Sequence, residues 1–171
     1  MDAPTVSQMI YPIMQMVDIA SLNVDAAVGG IDQRKIHMLA REHLVSIGYP
    51  APVCIHTPIL NGLDGKKMSS SSGNYISVAD SVDEIEKKCQ KAFCPPECEE
   101  NPILQMFQYH IFPRSGPVTV KRPDKFGGDR EFLRFEDLEE AYRKGEIHPL
   151  DLKKTAGRYL TEILSCVRDY V

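Results

Sequence analysis

Residues 5–22 carry apolar side chains at Met9, Ile10, Ile13, Met14, Val17 and Ala20, the recurrence of an amphipathic helix. Pro12 is the misfit. It is expected to end or kink the first turn, because it has no N–H to donate and its ring meets the carbonyl four residues back. Val24 to Val28 is a short strand candidate ending in Gly29-Gly30. Ile31 to Ile47 then returns to helical spacing through Ile36, Leu39, Ala40 and Leu44 and stops at Gly48, a good C-terminal cap. Pro52 to Leu60 is the next strand, so the elements alternate as in a doubly wound α/β sheet with parallel strands.

After Asp80 the periodicity changes. Ser81 to Glu84 forms a capping box that opens a charged helix to about Phe93. Asn101-Pro102 pairs an N-cap with proline at the first helical position, which predicts a helix through Phe112. Pro113 to Pro117 reads as a turn and Val118 to Val120 as a short extended piece. Glu136 to Lys144 is a helix capped by Gly145, and His148-Pro149 starts a last helix carrying Leu152, Tyr159, Leu160, Ile163 and Val167. Strand signals are scarce in this part, which sets the expected domains at 1–78, an α/β unit, and 79–171, a mainly helical one. Two strands without further sheet neighbours leave an open apolar edge, so dimerisation, aggregation or a partner is expected for the first part.

Composition narrows the class. With 43% hydrophobic and 26% charged residues the chain is globular rather than disordered. No apolar run approaches the roughly 18 residues of a membrane span, and residues 1–20 lack a signal peptide's basic start, so a cytoplasmic protein without a membrane partner is expected. A net charge of -4 argues against holding nucleic acid by bulk attraction. Any RNA contact must be local, and Lys121, Arg122, Lys125 and Arg130, which outnumber Asp124 and Asp129, are the best candidates. Cys54, Cys89, Cys94, Cys98 and Cys166 form no CxxC pair and read as reduced thiols. A metal site at Cys89, Cys94 and Cys98 near His110 is the minor alternative, and no protein-bound metal is expected.

Three stretches carry candidate chemistry. Leu63 to Gly73 is a polar, mobile loop whose two lysines, four serines and flanking glycines suit an anion such as a triphosphate losing pyrophosphate. The alternative is a serine-rich surface linker. Tyr11, Gln15 and Asp18 fall at i, i+4 and i+7, so one helix face aligns a phenol, an amide and a carboxylate, either a recognition surface or a solvated face. Gly29-Gly30 before a helix puts Asp32 and Gln33 at a strand's carboxyl end, where phosphates meet free N–H groups, although such a pair is more often a tight turn.

Lys67-Met68-Ser69-Ser70-Ser71 resembles the KMSKS signature of class I aminoacyl-tRNA synthetases, in the KMSSS form of archaeal and eukaryotic tyrosyl enzymes. Tyr11 to Gln15, Asp18, Gly29 to Lys35, Lys121 to Gly128 and His148 to Lys153 are similar to the archaeal tyrosyl type, in the family's order. The resemblance covers essentially all 171 residues but only part of the family's length, with no His-Ile-Gly-His motif, so the chain looks like the C-terminal half. It implies the end of a Rossmann-like catalytic domain followed by a helical anticodon-binding domain. It also implies L-tyrosine, ATP with Mg2+ and tRNA(Tyr) as ligands, the missing N-terminal half as partner, and a homodimer in the full enzyme.

By the same resemblance, Tyr11, Gln15 and Gln33 hold the α-amino group of tyrosine and Asp18 accepts from its phenol. Asp32 with the Gly30 backbone meets the ATP ribose. Lys67, Met68, Ser69, Ser70 and Ser71 serve the nucleotide and pyrophosphate, with Ser70 standing where the family commonly has a second lysine. Arg34 and Lys35 read the first acceptor-stem pair, and Phe126, His148 and Asp151 the first anticodon base. Taken singly, His148 is equally a helix cap, Phe126 a core residue and Asp151 a first-turn acid favoured by the helix dipole. The implied function is tyrosine-tRNA ligase, incomplete as this chain. The alternatives are a non-catalytic tRNA-binding module or a tryptophanyl relative, the latter disfavoured by Asp18 beside Tyr11 and Gln15.

Overall fold

In the computed structural model, which describes residue 3 and residues 5–168, Thr5 opens the first helix, α1 (Val6–Ser21). Thr5 and Gln8 form a reciprocal capping box: the Thr5 Oγ1 accepts from the Gln8 N–H and the Gln8 Oε1 from the Thr5 N–H. Pro12 neither ends α1 nor confines it to a first turn; it lies inside a helix of 16 residues. Tertiary packing outweighs the lost hydrogen bond, because Met16, Ile19 and Ala20 cluster with Ala40 and Leu44 of the next helix.

Strand β1 (Ala26–Gly30) leads through a 3-10 turn (Ile31–Gln33) into α2 (Arg34–Leu44), which a second 3-10 turn and Gly48, at φ 88°, bring to an end. Strand β2 (Val53–Thr57) then pairs parallel to β1, in register from Ala26 with Val53 to Gly30 with Thr57. The strand, helix and strand expected from periodicity are present, with both strands displaced a few residues or shortened. One face of this pair is uncovered: Val28, Val53 and Ile55 are 67%, 59% and 50% exposed. Parallel sheets are ordinarily covered on both faces, so this pair has the surface of an inner element without its cover.

The second part is built on α3 (Val82–Lys91), α4 (Pro102–Met106), α5 (Phe112–Ser115), α6 (Phe135–Arg143) and α7 (Pro149–Arg168). Ser81 and Glu84 make the expected capping box of α3. Asn101 caps α4, accepting from the N–H groups of Ile103 and Leu104. Between α4 and α5 the helix widens into a π turn, Phe107–Ile111, and continues past the expected stop at Phe112 to Ser115. The widened turn precedes Pro113, whose ring in an α-helix would strike the carbonyl four residues back. A hairpin of β3 (Val118–Val120) and β4 (Arg130–Phe132) adds a strand that the sequence pattern did not suggest. Ile85, Cys89, Phe107, Ile111, Leu138, Leu152 and Ala156 are among the buried residues of one core.

The chain divides into two compact units, Met1–Ile59 and Leu60–Val171, and so parts some 20 residues before the expected limit at 78. The change of periodicity at Asp80 marks where a helix starts, whereas packing has already changed sides. Leu63 and Ile76 pack on the helical core, the Phe93 N–H donates to the Leu63 carbonyl, and the Asn61 N–H donates to Gln105 Oε1. Among the described residues no helix is long and apolar enough to cross a membrane.

Candidate functional site

The polar loop belongs to the second unit and is organised from within. Asn61 and Lys67 form an isolated antiparallel bridge, and Ser70–Ser72 make a 3-10 turn closed by Gly73 at φ 62°. Asn74, only 8% exposed, accepts from the Ser69 N–H at 2.9 Å and donates to Asp64 Oδ1 at 2.7 Å and to the Lys67 carbonyl at 3.3 Å. Its own carbonyl accepts from the Leu63 N–H at 2.8 Å. Asn74, and second the Lys66 N–H, hold the Asp64 carboxyl below its usual range. Lys67, Met68, Ser70 and Ser71 are exposed, and Ser69 is half-buried.

One expectation needs revision here. Ser69, expected to serve the nucleotide and pyrophosphate, has its N–H already engaged by Asn74, and the Ser69 and Ser71 hydroxyls bond each other at 2.7 Å. Asn74 itself was missed. Its signal was present, since an asparagine directly after a glycine-ended turn readily bonds neighbouring backbone.

The first unit carries the remaining candidates. Tyr11 and Asp18 on α1 are exposed, while Gln15 is half-buried, with its Oε1 buried and without a hydrogen-bond partner. A buried acceptor left open in this way invites a donor such as an ammonium group. At the end of β1, a Cβ on Gly30 would lie 2.5 Å from Asp32 Oδ1, so the absence of a side chain leaves room for that carboxylate. Gln33 closes the 3-10 turn, half-buried. Beneath, buried His37 places Nδ1 3.1 Å from His56 Nε2; burial, and second the neighbouring His56, push the His37 pKa down. Arg34 and Lys35 are exposed beside a cavity of about 390 Å³ shared with Ile31, Met38 and Glu42.

Phe126, His148 and Asp151 are brought together. They line one cavity of about 560 Å³ with Arg122, Lys125 and Lys154. The Arg122 guanidinium frames it, donating from Nε to the Gly128 carbonyl and from Nη1 to the Glu146 carbonyl. His148 does cap α7, its Nδ1 accepting from the Leu150 N–H at 3.1 Å, and its exposed ring keeps Nε2 for a further partner. Capping and a place in the cavity are therefore compatible. Phe126 is exposed rather than core, with Lys125 Nζ 4.9 Å from its ring centre. Arg122 and Lys125 are among the basic residues expected at a local RNA contact, and Lys154 is a lining residue that the sequence did not single out.

Among the described residues no three or more His, Cys, Asp or Glu side chains are grouped to hold a metal. The Cys89 thiol is buried and its pKa is pushed up to about 12 by that burial, Cys94 Sγ lies 3.3 Å from the Tyr142 hydroxyl, and Cys98 Sγ faces the Glu139 carbonyl.

The family described as tRNA synthetases class I (W and Y) matches residues 2–165. The tyrosine-tRNA ligase of Methanoculleus marisnigri is 74% identical over 171 residues, which are 100% of this chain and 54% of the relative. Two solved structures agree in fold. The tyrosyl-tRNA synthetase of Archaeoglobus fulgidus, complexed with L-tyrosine, aligns with a TM-score of 0.87 at 60% identity, over 98% of this chain and 53% of that one. The enzyme of Pyrococcus horikoshii, also complexed with L-tyrosine, aligns with a TM-score of 0.87 at 35% identity, over 99% and 54%. The chain thus spans about half the length of the relatives it matches.

Proposed function

The chain belongs to the class I tRNA synthetases of the tryptophanyl and tyrosyl family, and from that premise we propose that it is the part of a tyrosine-tRNA ligase that carries the Lys67 loop and an anticodon pocket. Acting with the remainder of the enzyme, it serves ATP-dependent activation of L-tyrosine and transfer of the tyrosyl group to tRNA(Tyr). The observation that carries this reading is the Lys67 loop, pre-shaped by a buried asparagine while Lys67, Ser70 and Ser71 stay exposed.

Activation joins the tyrosine carboxylate to the α-phosphate of ATP and expels pyrophosphate. No enzyme nucleophile is needed; holding the reactants in line and stabilising phosphate charge supply the rate. Lys67 supplies that charge, with Ser70 and the Ser71 backbone N–H as donors. Gln15 Oε1 accepts from the substrate ammonium together with Tyr11 and Gln33, and Asp18 accepts from the phenol. A carboxylate deprived of that hydroxyl is costly, which rejects phenylalanine. Asp32 and the Gly30 backbone take the ribose. Mg2+ supplies further charge compensation on the phosphates of ATP.

Arg34 and Lys35 suit the acceptor stem by charge, and the Phe126, His148 and Asp151 cavity suits an unpaired base by stacking and acceptance. The uncovered face of β1 and β2 favours the incomplete enzyme over a free-standing RNA module, since such a face calls for its cover. We place the full enzyme in the cytoplasm as a homodimer.

Exchange of labelled pyrophosphate into ATP, dependent on tyrosine, tests this. The 171-residue chain alone should exchange at or near background, and adding the remaining part of the enzyme should restore it. Lys67→Ala in the restored enzyme should lower the rate about 100-fold or more with tyrosine affinity nearly unchanged. Robust exchange by the chain alone would overturn the incomplete-enzyme reading. Indifference to Lys67→Ala would overturn the role of the loop.

A further inference from the structure

We propose that Asn74 is the positioning residue of the Lys67 loop: one buried amide ties both ends of the lysine-to-serine segment, so that the loop meets its anionic ligand already shaped. The role in turnover rests on the tyrosine-activating reading above; the loop geometry does not. Asn74 uses nearly its whole hydrogen-bonding capacity on this loop. Oδ1 takes the Ser69 N–H, Nδ2 reaches Asp64 and the Lys67 carbonyl, and the backbone carbonyl takes the Leu63 N–H. The residues before and after Met68 are therefore held by the same side chain, while Lys67 stays exposed.

Two features of the surroundings support a dedicated device. Gly62 is buried against it: a Cβ there would stand 2.1 Å from Asn74 Nδ2 and 2.9 Å from the Asn74 carbonyl, so a glycine is required for the amide to reach the loop. Asp64 is exposed and could be solvated by water, yet it is held by Asn74 and by the Lys66 N–H. An asparagine fits where an aspartate would not, because a carboxylate at position 74 would face Asp64 as a second acceptor and lose both donations.

The test has two arms. In the 171-residue chain, amide hydrogen exchange at Ser69 should speed up at least about tenfold in Asn74→Ala, with Phe107 and Ile111 unchanged as internal controls. Gly62→Ala, which displaces the amide sterically, should do the same. In the restored enzyme, Asn74→Ala should lower kcat for pyrophosphate exchange by about 30-fold or more with KM for tyrosine within about twofold, the signature of a group acting on transition-state stabilisation. Asn74→Asp, which offers Asp64 a second acceptor in place of a donor, should be as poor as Asn74→Ala at neutral pH, whereas an isosteric filler of the space alone would have kept kcat. An unchanged Ser69 exchange rate in Asn74→Ala overturns the proposal, and so does wild-type kcat in that variant. If the restored wild-type enzyme is itself inactive, the tyrosine-activating reading fails while the Ser69 arm still decides whether Asn74 shapes the loop.

Discussion

Phe126 and Asp151 each admit two chemical readings. An aromatic in a glycine-rich stretch is as readily core as contact, and an acid in a helix's first turn needs no ligand to explain it. Here Phe126 is exposed at the rim of a cavity that Asp151 also lines, with Lys125 against the ring and Lys154 nearby. On the proposed reading a base stacks on Phe126 for about 1–3 kcal/mol, so Phe126→Ala should weaken binding of the cognate anticodon stem-loop about 5- to 150-fold at fixed salt. Asp151→Asn should affect affinity less and selectivity more, narrowing the preference for guanine over other bases at the first anticodon position. Titrations with stem-loops differing at that base measure both. Equal losses for all four bases in Asp151→Asn would mark it as a helix-terminal acid alone.

At the scale of elements, local signals specify starts better than stops. Asn101 illustrates a start: fully buried, it accepts from two N–H groups of α4 and donates from Nδ2 to the Pro95 carbonyl. Asn101→Ala removes the cap and leaves the N–H groups of buried Ile103 and Leu104 without their acceptor, while the Pro95 carbonyl keeps the Tyr142 hydroxyl, and should destabilise the chain by about 2–4 kcal/mol in urea unfolding. A loss under about 0.5 kcal/mol would mean that water replaces the side chain. Stops depend on what the helix meets. α1 passes Pro12 because its later turns pack on α2, and the helix from Pro102 passes Pro113 by way of a π turn. In both cases the proline's penalty of about 3 kcal/mol is a local quantity outweighed by burial elsewhere in the element.

At the scale of the whole molecule, the two units differ in what they bury. The second has a core that includes Phe107, Ile111, Leu138 and Leu152, all inaccessible to solvent, whereas the first clusters Ile19, Ala27, Ala40 and Leu44 under a sheet with one bare face. Stability is thus unevenly distributed along the chain. Hydrogen exchange of the 171-residue chain should show Ala27 and Val28 far less protected than Phe107 and Leu152, and adding the remaining part of the enzyme should raise protection in the first unit selectively. High and equal protection in both units without that addition would show that the bare face needs no cover.

The sequence by itself determined the features whose physics is local. The capping box at Ser81 and Glu84, the Asn101-Pro102 start, the Gly48 stop and the strand, helix and strand around Gly29-Gly30 all rest on bonds or steric limits within a few residues. So does the Lys67 to Ser71 motif, which is read directly. Tertiary structure decided what depends on residues distant in the chain. It set the parting at Ile59 and Leu60, because Leu63 and Ile76 find their apolar partners in the helical core. It paired β4 with β3, and it gathered Phe126, His148 and Asp151 through the bonds of Arg122 to Gly128 and Glu146. It also gave Asn74 its place beneath the loop, where an ordinary turn residue becomes a buried hub because Gly62 leaves room for its amide.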